Sequence, residues 1–217
     1  MRRRFDDKLN EIHDDILRMG SIVEEELTLA LKALKKRDTG LAQQVIVTDD
    51  TVNELRFAIE NKCVELIATQ QPAASDLRAI VAVMNMIVDL ERMGDQAKGV
   101  AKLIPALEET PGKWARSEEL QEMGRLVGLM LKQAMTAYAT NNIELAGLIA
   151  DQDDEVDNLY AQIHAQVMEN MAETTKQKKV EASYDVLRAA RELERFGDLA
   201  TNVAERVIYI ATGQTYE

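Results

Sequence analysis

The sequence predicts an all-α protein of two tandem pseudo-repeated three-helix bundles, with six long antiparallel helices packed side by side. Three observations lead to this prediction. Apolar residues recur at three- and four-residue spacing along most of the 217 residues, as on amphipathic helices. Hydrophobic residues make up 46% of the chain but aromatic residues only 4%, which is typical of helices packed with aliphatic side chains. An internal repeat divides the chain into two versions of one unit.

The repeat is clearest in one block that occurs in both halves of the chain. Residues 90–97 read Leu-Glu-Arg-Met-Gly-Asp-Gln-Ala, and residues 193–200 read Leu-Glu-Arg-Phe-Gly-Asp-Leu-Ala. A second block, also rich in acids, is copied between residues 49–55 and 153–159. Because both blocks lie in sequence with helical periodicity, we expect each half to place them on helices in the same way.

The first unit is expected to hold three helices. Apolar residues at helical spacing over residues 9–34 predict the first helix. Basic residues come directly after them, at its C-terminal end, where the helix dipole favours positive charge. Residues 38–40 (Asp-Thr-Gly) break this helix and cap a second one over residues 41–69, which ends before Pro72. The third helix is expected over residues 76–103.

The second unit repeats this plan. Its helices are expected over residues 116–140, 143–172 and 177–211, and residues 142–146 match the first interhelical turn of the other unit. Turns this short make neighbouring helices antiparallel.

Two prolines and a glycine mark a linker over residues 105–115. The domains are therefore predicted as residues 1–104 and residues 116–217.

Charge and cysteine content exclude several classes of function. The net charge of −12 repels phosphate backbones and anionic lipid, so nucleic-acid or membrane-surface binding is not expected. Cys63 is the single cysteine, which precludes an intrachain disulfide and favours a reducing compartment. No apolar stretch approaches the roughly 20 residues that a membrane-spanning helix needs. We therefore expect a soluble, cytoplasmic protein without membrane insertion.

Each copy of the repeated block carries a glutamate and an aspartate four residues apart. They are Glu91 and Asp95 in the first unit, and Glu194 and Asp198 in the second. A helix brings such positions onto one face, about one turn apart. Because two stacked carboxylates repel each other, an arginine or a metal ion is expected beside them.

The other acidic block is expected to meet these pairs in space. In two antiparallel helices, residues equally distant from the connecting turn lie side by side. The predicted oxygen ligands are Asp49, Asn53, Glu91 and Asp95 in the first unit, and Asp153, Asp157, Glu194 and Asp198 in the second. Carboxylate and amide oxygens without His or Cys suit magnesium, manganese, calcium or iron better than zinc, and the pattern does not choose among these metals.

Other interpretations of the same residues stay open. The acids could form a solvated face of ion pairs; the available basic residues are Arg92, Lys98, Arg188, Arg191 and Arg195. Within the blocks, Arg92 and Arg195 are expected to orient or neutralise the acids. Gly94 and Gly197 indicate close approach of a neighbouring helix or access for an ion, since glycine inside a helix costs about 1 kcal/mol relative to alanine.

The sequence gives no sign of an enzyme. His13 and His164 have no glutamate three residues before them, so the Glu-x-x-His pattern of di-iron carboxylate enzymes is missing. A glycine-rich phosphate loop and a nucleophile with an activating base are also missing.

Several stretches together resemble one known family. They are the two Leu-Glu-Arg-Met/Phe-Gly-Asp blocks, residues 71–78 (Gln-Pro-Ala-Ala-Ser-Asp-Leu-Arg), residues 49–53 (Asp-Asp-Thr-Val-Asn) and residues 19–24 (Met-Gly-Ser-Ile-Val-Glu). These residues are similar to those of PhoU proteins, and the resemblance covers essentially the whole chain. It implies a cytoplasmic negative regulator of phosphate uptake and of the phosphate-starvation response. PhoU proteins act between the transporter ATPase PstB and the sensor histidine kinase PhoR.

The resemblance also bears on the acids. Some PhoU proteins bind metal clusters through paired E(D)-x-x-x-D motifs, to which Glu91/Asp95, Glu194/Asp198 and Asp153/Asp157 would correspond. Asn53 departs from this pattern, which makes the first site weaker in charge than the second. The resulting hypothesis is a non-enzymatic, metal-binding helical adaptor that forms a homodimer. A metal-dependent phosphoesterase or polyphosphate enzyme and a metal-free helical scaffold are the alternatives.

Overall fold

Helices account for nearly all of residues 2–108 and 117–214, which the computed structural model describes. In chain order they are α1 (Arg2–Lys36), α2 (Thr39–Gln70), α3 (Ala74–Glu108), α4 (Glu118–Thr140), α5 (Ile143–Gly147), α6 (Ile149–Ala172) and α7 (Gln177–Thr212). Helices α1 to α3 form one three-helix bundle, and α4 to α7 form the other. No strand occurs within the described ranges, so the predicted all-α class is confirmed.

The copied interhelical turn has the same cap in both units. Asp38 stands before α2, and its carboxylate accepts a hydrogen bond from the backbone N–H of Leu41 at 3.0 Å. Asn142 stands before α5, and its side-chain oxygen accepts from the N–H of Leu145, also at 3.0 Å. Such caps satisfy an N–H group that has no partner inside the helix.

Two predicted helix boundaries are wrong. The helix predicted over residues 143–172 is interrupted at Leu148, which separates the short α5 from α6. Helix α3 does not stop before Pro105 but continues through it to Glu108. Ile104 and Leu107, on either side of the proline, are buried. Their burial offsets the loss of the backbone hydrogen bond that a proline cannot donate. Residues 109–115 of the predicted linker lie outside the described residues.

The two units lie side by side and share one apolar core, as predicted. The main contact between them is made by α3 and α7, and α1 also packs against α4. The α1–α4 approach depends on a small residue, because a Cβ on Gly124 would stand only 2.5 Å from Cδ2 of Leu31. The units therefore meet as packed helices.

Cys63 is fully buried, as expected for a small core residue, and burial raises the pKa of its thiol to about 11. In the described part of the chain, no helix is both long and apolar enough to span a membrane.

Candidate functional site

The predicted acids of the second unit lie on facing sides of α6 and α7. Oδ1 of Asp153 is 3.3 Å from the point that a Cβ on Gly197 would occupy. Val127 of α4 and Val156 of α6 complete this contact, at 3.5 and 3.6 Å from the same point. Asp153 is therefore level with the Glu-x-x-x-Asp block of α7, in the register that the sequence predicts.

The four predicted acids of this unit act on one another electrostatically. Burial first, and then the charges of Asp198, Asp157 and Glu194, raise the pKa of Asp153 to about 6. Burial and then the charge of Asp198 raise the pKa of Glu194, while Arg191 opposes this. Burial and then Asp157 raise the pKa of Asp198. The acids thus form one negative cluster, which we call the α6–α7 cluster.

One arginine supplies the direct counter-charge. Nη1 of Arg191 donates a hydrogen bond to Oε1 of Glu194 at 2.6 Å, while Oε2 of Glu194 is buried without a hydrogen-bond partner. Arg195, expected to orient or neutralise the acids, acts through its charge, which lowers the pKa of Glu194 and of Asp198. Of the ion pairs that the sequence allows, the cluster therefore forms one, at Oε1 of Glu194.

The predicted residues of the first unit also meet, between α2 and α3. Asp49 is only 1% exposed, and its Oδ1 lies 3.2 Å from the point that a Cβ on Gly94 would occupy. Nζ of Lys98 donates to Oδ2 of Asp49 at 2.6 Å, and Nδ2 of Asn53 donates to the same oxygen at 3.1 Å. Oδ1 of Asp49 is buried without a partner. The register is again the predicted one, but a lysine already neutralises part of the charge.

Glu91 of this unit also has an internal cation. Nη1 of Arg56 donates to Oε1 of Glu91 at 3.5 Å. The pKa of Glu91 is raised, chiefly by burial. The positive charge of Arg56 opposes this rise, the negative charge of Asp95 adds to it, and the positive charge of Arg92 opposes it. We call Asp49, Asn53, Glu91 and Asp95 the α2–α3 cluster. Its contacts with Lys98 and Arg56 distinguish it from the α6–α7 cluster, in which Arg191 is the paired base.

Sequence reasoning missed Glu26 of α1. This side chain is fully buried, and neither of its oxygens has a hydrogen-bond partner. Oε2 lies 3.0 Å from the point that a Cβ on Gly94 would occupy, on the side of that glycine that also faces Asp49. A signal was present in the sequence, because Glu26 follows Val23 by three residues and precedes Ala30 by four, which places it on the apolar face of α1.

The donors of both clusters fit a hard cation in chemistry. They are oxygen atoms alone, and several raised pKa values reflect negative charges held together away from water. Within residues 2–108 and 117–214, however, no three acidic, His or Cys side chains converge closely enough to hold an ion. Binding would require side chains to rotate, which the exposed Asp157 and Asp198 are free to do. The metal ligands therefore stay a prediction.

The chain is similar over nearly its whole length to proteins of one family. The PhoU domain model matches it twice, over residues 16–104 and 120–207, so that each match contains one cluster. A phosphate-specific transport system accessory protein PhoU homolog of Clostridium acetobutylicum is 38% identical over 216 residues, 98% of this chain and 96% of that protein. The homolog of Streptococcus pneumoniae is 34% identical over 215 residues, 99% of this chain and 98% of that protein.

Solved structures agree with these matches. The crystal structure of PhoU from Pseudomonas aeruginosa superposes with a TM-score of 0.91 at 35% identity, covering 97% of this chain and all of that one. The phosphate transport system regulatory protein PhoU from Streptococcus pneumoniae superposes with a TM-score of 0.90 at 32% identity, covering 98% of this chain and 99% of that one.

Proposed function

Because the chain belongs to the PhoU family, we propose that it is an accessory protein that regulates phosphate-specific transport. In this role it acts as a helical adaptor and not as an enzyme. It docks in the cytoplasm on the transporter ATPase PstB and on the sensor kinase PhoR, and it keeps the kinase in its repressing state while phosphate is sufficient. The support is the match of both units to PhoU domains and the names of the relatives, which are accessory proteins of a phosphate-specific transport system.

The proposal gives the α6–α7 cluster the task of holding a divalent cation. Four carboxylates repel one another there, and in the described part of the chain the one ion pair among them is that of Glu194 with Arg191. This excess of negative charge is the observation that carries the cation-binding part of the proposal. A divalent cation would remove the repulsion between the acids and fix the relative position of α6 and α7.

The test is a pair of double variants on α7. Glu194→Ala with Asp198→Ala removes half of the α6–α7 cluster. Glu181→Ala with Asp185→Ala removes a glutamate and an aspartate with the same spacing, nearer the start of that helix. Metal content would be measured by elemental analysis of protein purified without chelator, and repression by a phosphate-starvation reporter at high phosphate.

The proposal expects the first double variant to lose bound metal and repression, and the second to keep both. Unchanged metal content and repression in the first variant would remove the cluster from the mechanism. The non-enzymatic role is tested on the wild-type protein, which should not hydrolyse p-nitrophenyl phosphate in excess manganese. Turnover that rises with the manganese concentration would favour the phosphoesterase interpretation instead.

A further inference from the structure

We propose that a groove between α1 and α4 is a docking site for an acidic amphipathic helix of a partner protein. The groove, which we call the α1–α4 groove, is lined by residues within 24–35 on α1 and within 120–132 on α4. It contains no residue of either acidic cluster. This site therefore goes beyond the proposed function and needs no bound cation.

The groove has the length of a short helix. It consists of two adjoining cavities that share Leu31 and Arg125. One cavity has a volume of about 280 Å³ and extends to Lys35, and the other has about 380 Å³ and extends to Glu24. Residues 24–35 of a helix span about 17 Å, or three turns. A partner helix of about 12 residues has the same length.

The floor of the groove is apolar and has helical spacing. Leu27, Leu31 and Leu34 follow one another at four and three residues on α1, and Leu120 and Leu129 line the opposite side on α4. Leucines with this spacing pack against the apolar face of another helix that lies along them. Among the described residues no aromatic ring lines the groove, so it lacks the platform on which a nucleobase stacks.

The rim of the groove is basic, although the chain carries a net charge of −12. The basic residues that line it are Lys32, Lys35, Arg125 and Lys132. Arg125 pairs with Glu122. The three lysines form no ion pair with any residue in the described part of the chain. The rim therefore attracts acidic side chains, which the acidic remainder of the surface repels.

A glycine in the groove indicates close approach from outside. The fold itself requires Gly124, because a Cβ there would stand 2.5 Å from Cδ2 of Leu31. One turn further along α4, a Cβ on Gly128 would lie 3.5 Å from Cδ2 of Leu27, which is an ordinary contact. Packing within the described chain therefore does not require Gly128, although glycine weakens the middle of a helix. A partner helix that lies against this bare stretch of backbone accounts for it.

The main competing occupant is a lipid surface, because basic residues beside leucines also occur on helices that bind membranes. Two observations favour the helix. Leu27, Leu34 and Leu120 are at most 4% exposed, so they form the floor of a concave surface and cannot enter a bilayer. The net charge of −12 also repels anionic lipid from the protein as a whole.

The experiment measures binding of a fluorescein-labelled synthetic peptide by fluorescence anisotropy. The peptide has about 14 residues, with leucines at helical spacing on one face and glutamates on both flanks. Lys32→Glu with Lys35→Glu reverses the charge of the rim. Lys178→Glu with Lys179→Glu is the matched control, because it makes the same change of net charge at two exposed lysines of α7.

A second pair of variants leaves the charge unchanged. Gly128→Leu fills the groove with an apolar side chain. Gly147→Leu is its control, because a Cβ at that position meets no atom within 4 Å. Circular dichroism would verify that each variant is folded.

We expect the wild type to bind the peptide, both groove variants to weaken binding about ten-fold or more, and both controls to bind like the wild type. A wild type that does not bind the peptide, or groove variants that bind it as tightly as their controls, would overturn the inference. So would binding of the wild type to phosphatidylglycerol vesicles that is lost in Lys32→Glu with Lys35→Glu, because the groove would then be a lipid site.

The phosphate-starvation reporter separates this inference from the proposed function. Both groove variants should lose repression at high phosphate while their metal content stays at the wild-type level. Normal repression in both groove variants would overturn the inference and leave the proposed function intact. A wild type that does not repress the reporter would instead remove the proposed function, and the peptide titration would still decide on the groove.

Discussion

Replacing Asp153 by asparagine should stabilise the metal-free protein at neutral and alkaline pH. In the folded protein, burial and the neighbouring acids raise the pKa of this carboxyl from 3.8 to about 6. Each pKa unit corresponds to about 1.4 kcal/mol, so ionised Asp153 costs the folded state about 3 kcal/mol. Asparagine has nearly the same shape and carries no charge, and it should recover most of that free energy.

The pH dependence follows from the sign of the shift. Because the folded pKa is the higher one, the folded state binds the proton more tightly, and the cost of ionisation is absent well below pH 3.8. The cost grows as the pH rises from 3.8 to about 6 and is constant above that range. At pH 5 the asparagine variant should therefore have roughly half of the advantage that it has at pH 8.

The assay is urea unfolding followed by circular dichroism in the presence of EDTA, at pH 5 and at pH 8. The control is Asp154→Asn, which removes the same charge at the exposed neighbour on α6. An advantage of equal size at both pH values, or no advantage over the wild type at pH 8, would refute the reasoning. It would mean that Asp153 is not held among the other acids in the folded protein.

Two further predictions concern stability at neutral pH without metal. Gly124→Ala should be less stable than Gly147→Ala by about 1–3 kcal/mol, because the new methyl group would overlap Leu31 where α1 meets α4. The control is Gly147→Ala, whose methyl group would meet no atom within 4 Å, so it should be neutral or stabilising by up to about 1 kcal/mol in the same urea assay. Equal free energies of unfolding in the two variants would contradict the packing described for α1 and α4. Lys98→Met should cost about 3 kcal/mol, because it leaves the buried Asp49 without its ion pair. Unchanged urea unfolding in that variant would show that Asp49 does not depend on the lysine.

The level at which the helices meet could be predicted from the sequence. Asp49 lies beside Gly94 and Asp153 beside Gly197, as expected when antiparallel helices are aligned from their connecting turn. This worked because the periodicity of a helix is fixed and the turns are short, so errors in the helix ends shift the alignment by less than one turn.

The partners of the acids could not be predicted in the same way. Three consecutive glutamates at residues 24–26 have the appearance of a solvated face, although the spacing of Glu26 from Val23 and Ala30 places the third of them on the apolar face of α1, where it is buried. Nor could the sequence choose among the candidate bases of the α6–α7 cluster, where Arg191 forms the ion pair with Glu194 and Arg195 acts through its charge alone. The choice of arginine depends on side-chain direction within a packed bundle, which spacing along one helix does not determine.

Crystals soaked in manganese, with diffraction recorded at the manganese absorption edge, would test the central claim most directly. The account predicts an anomalous peak between α6 and α7, within coordination distance of carboxylate oxygens from Asp153 and from Glu194 or Asp198. A map with no peak between these helices, at a manganese concentration that saturates the protein in solution, would contradict it.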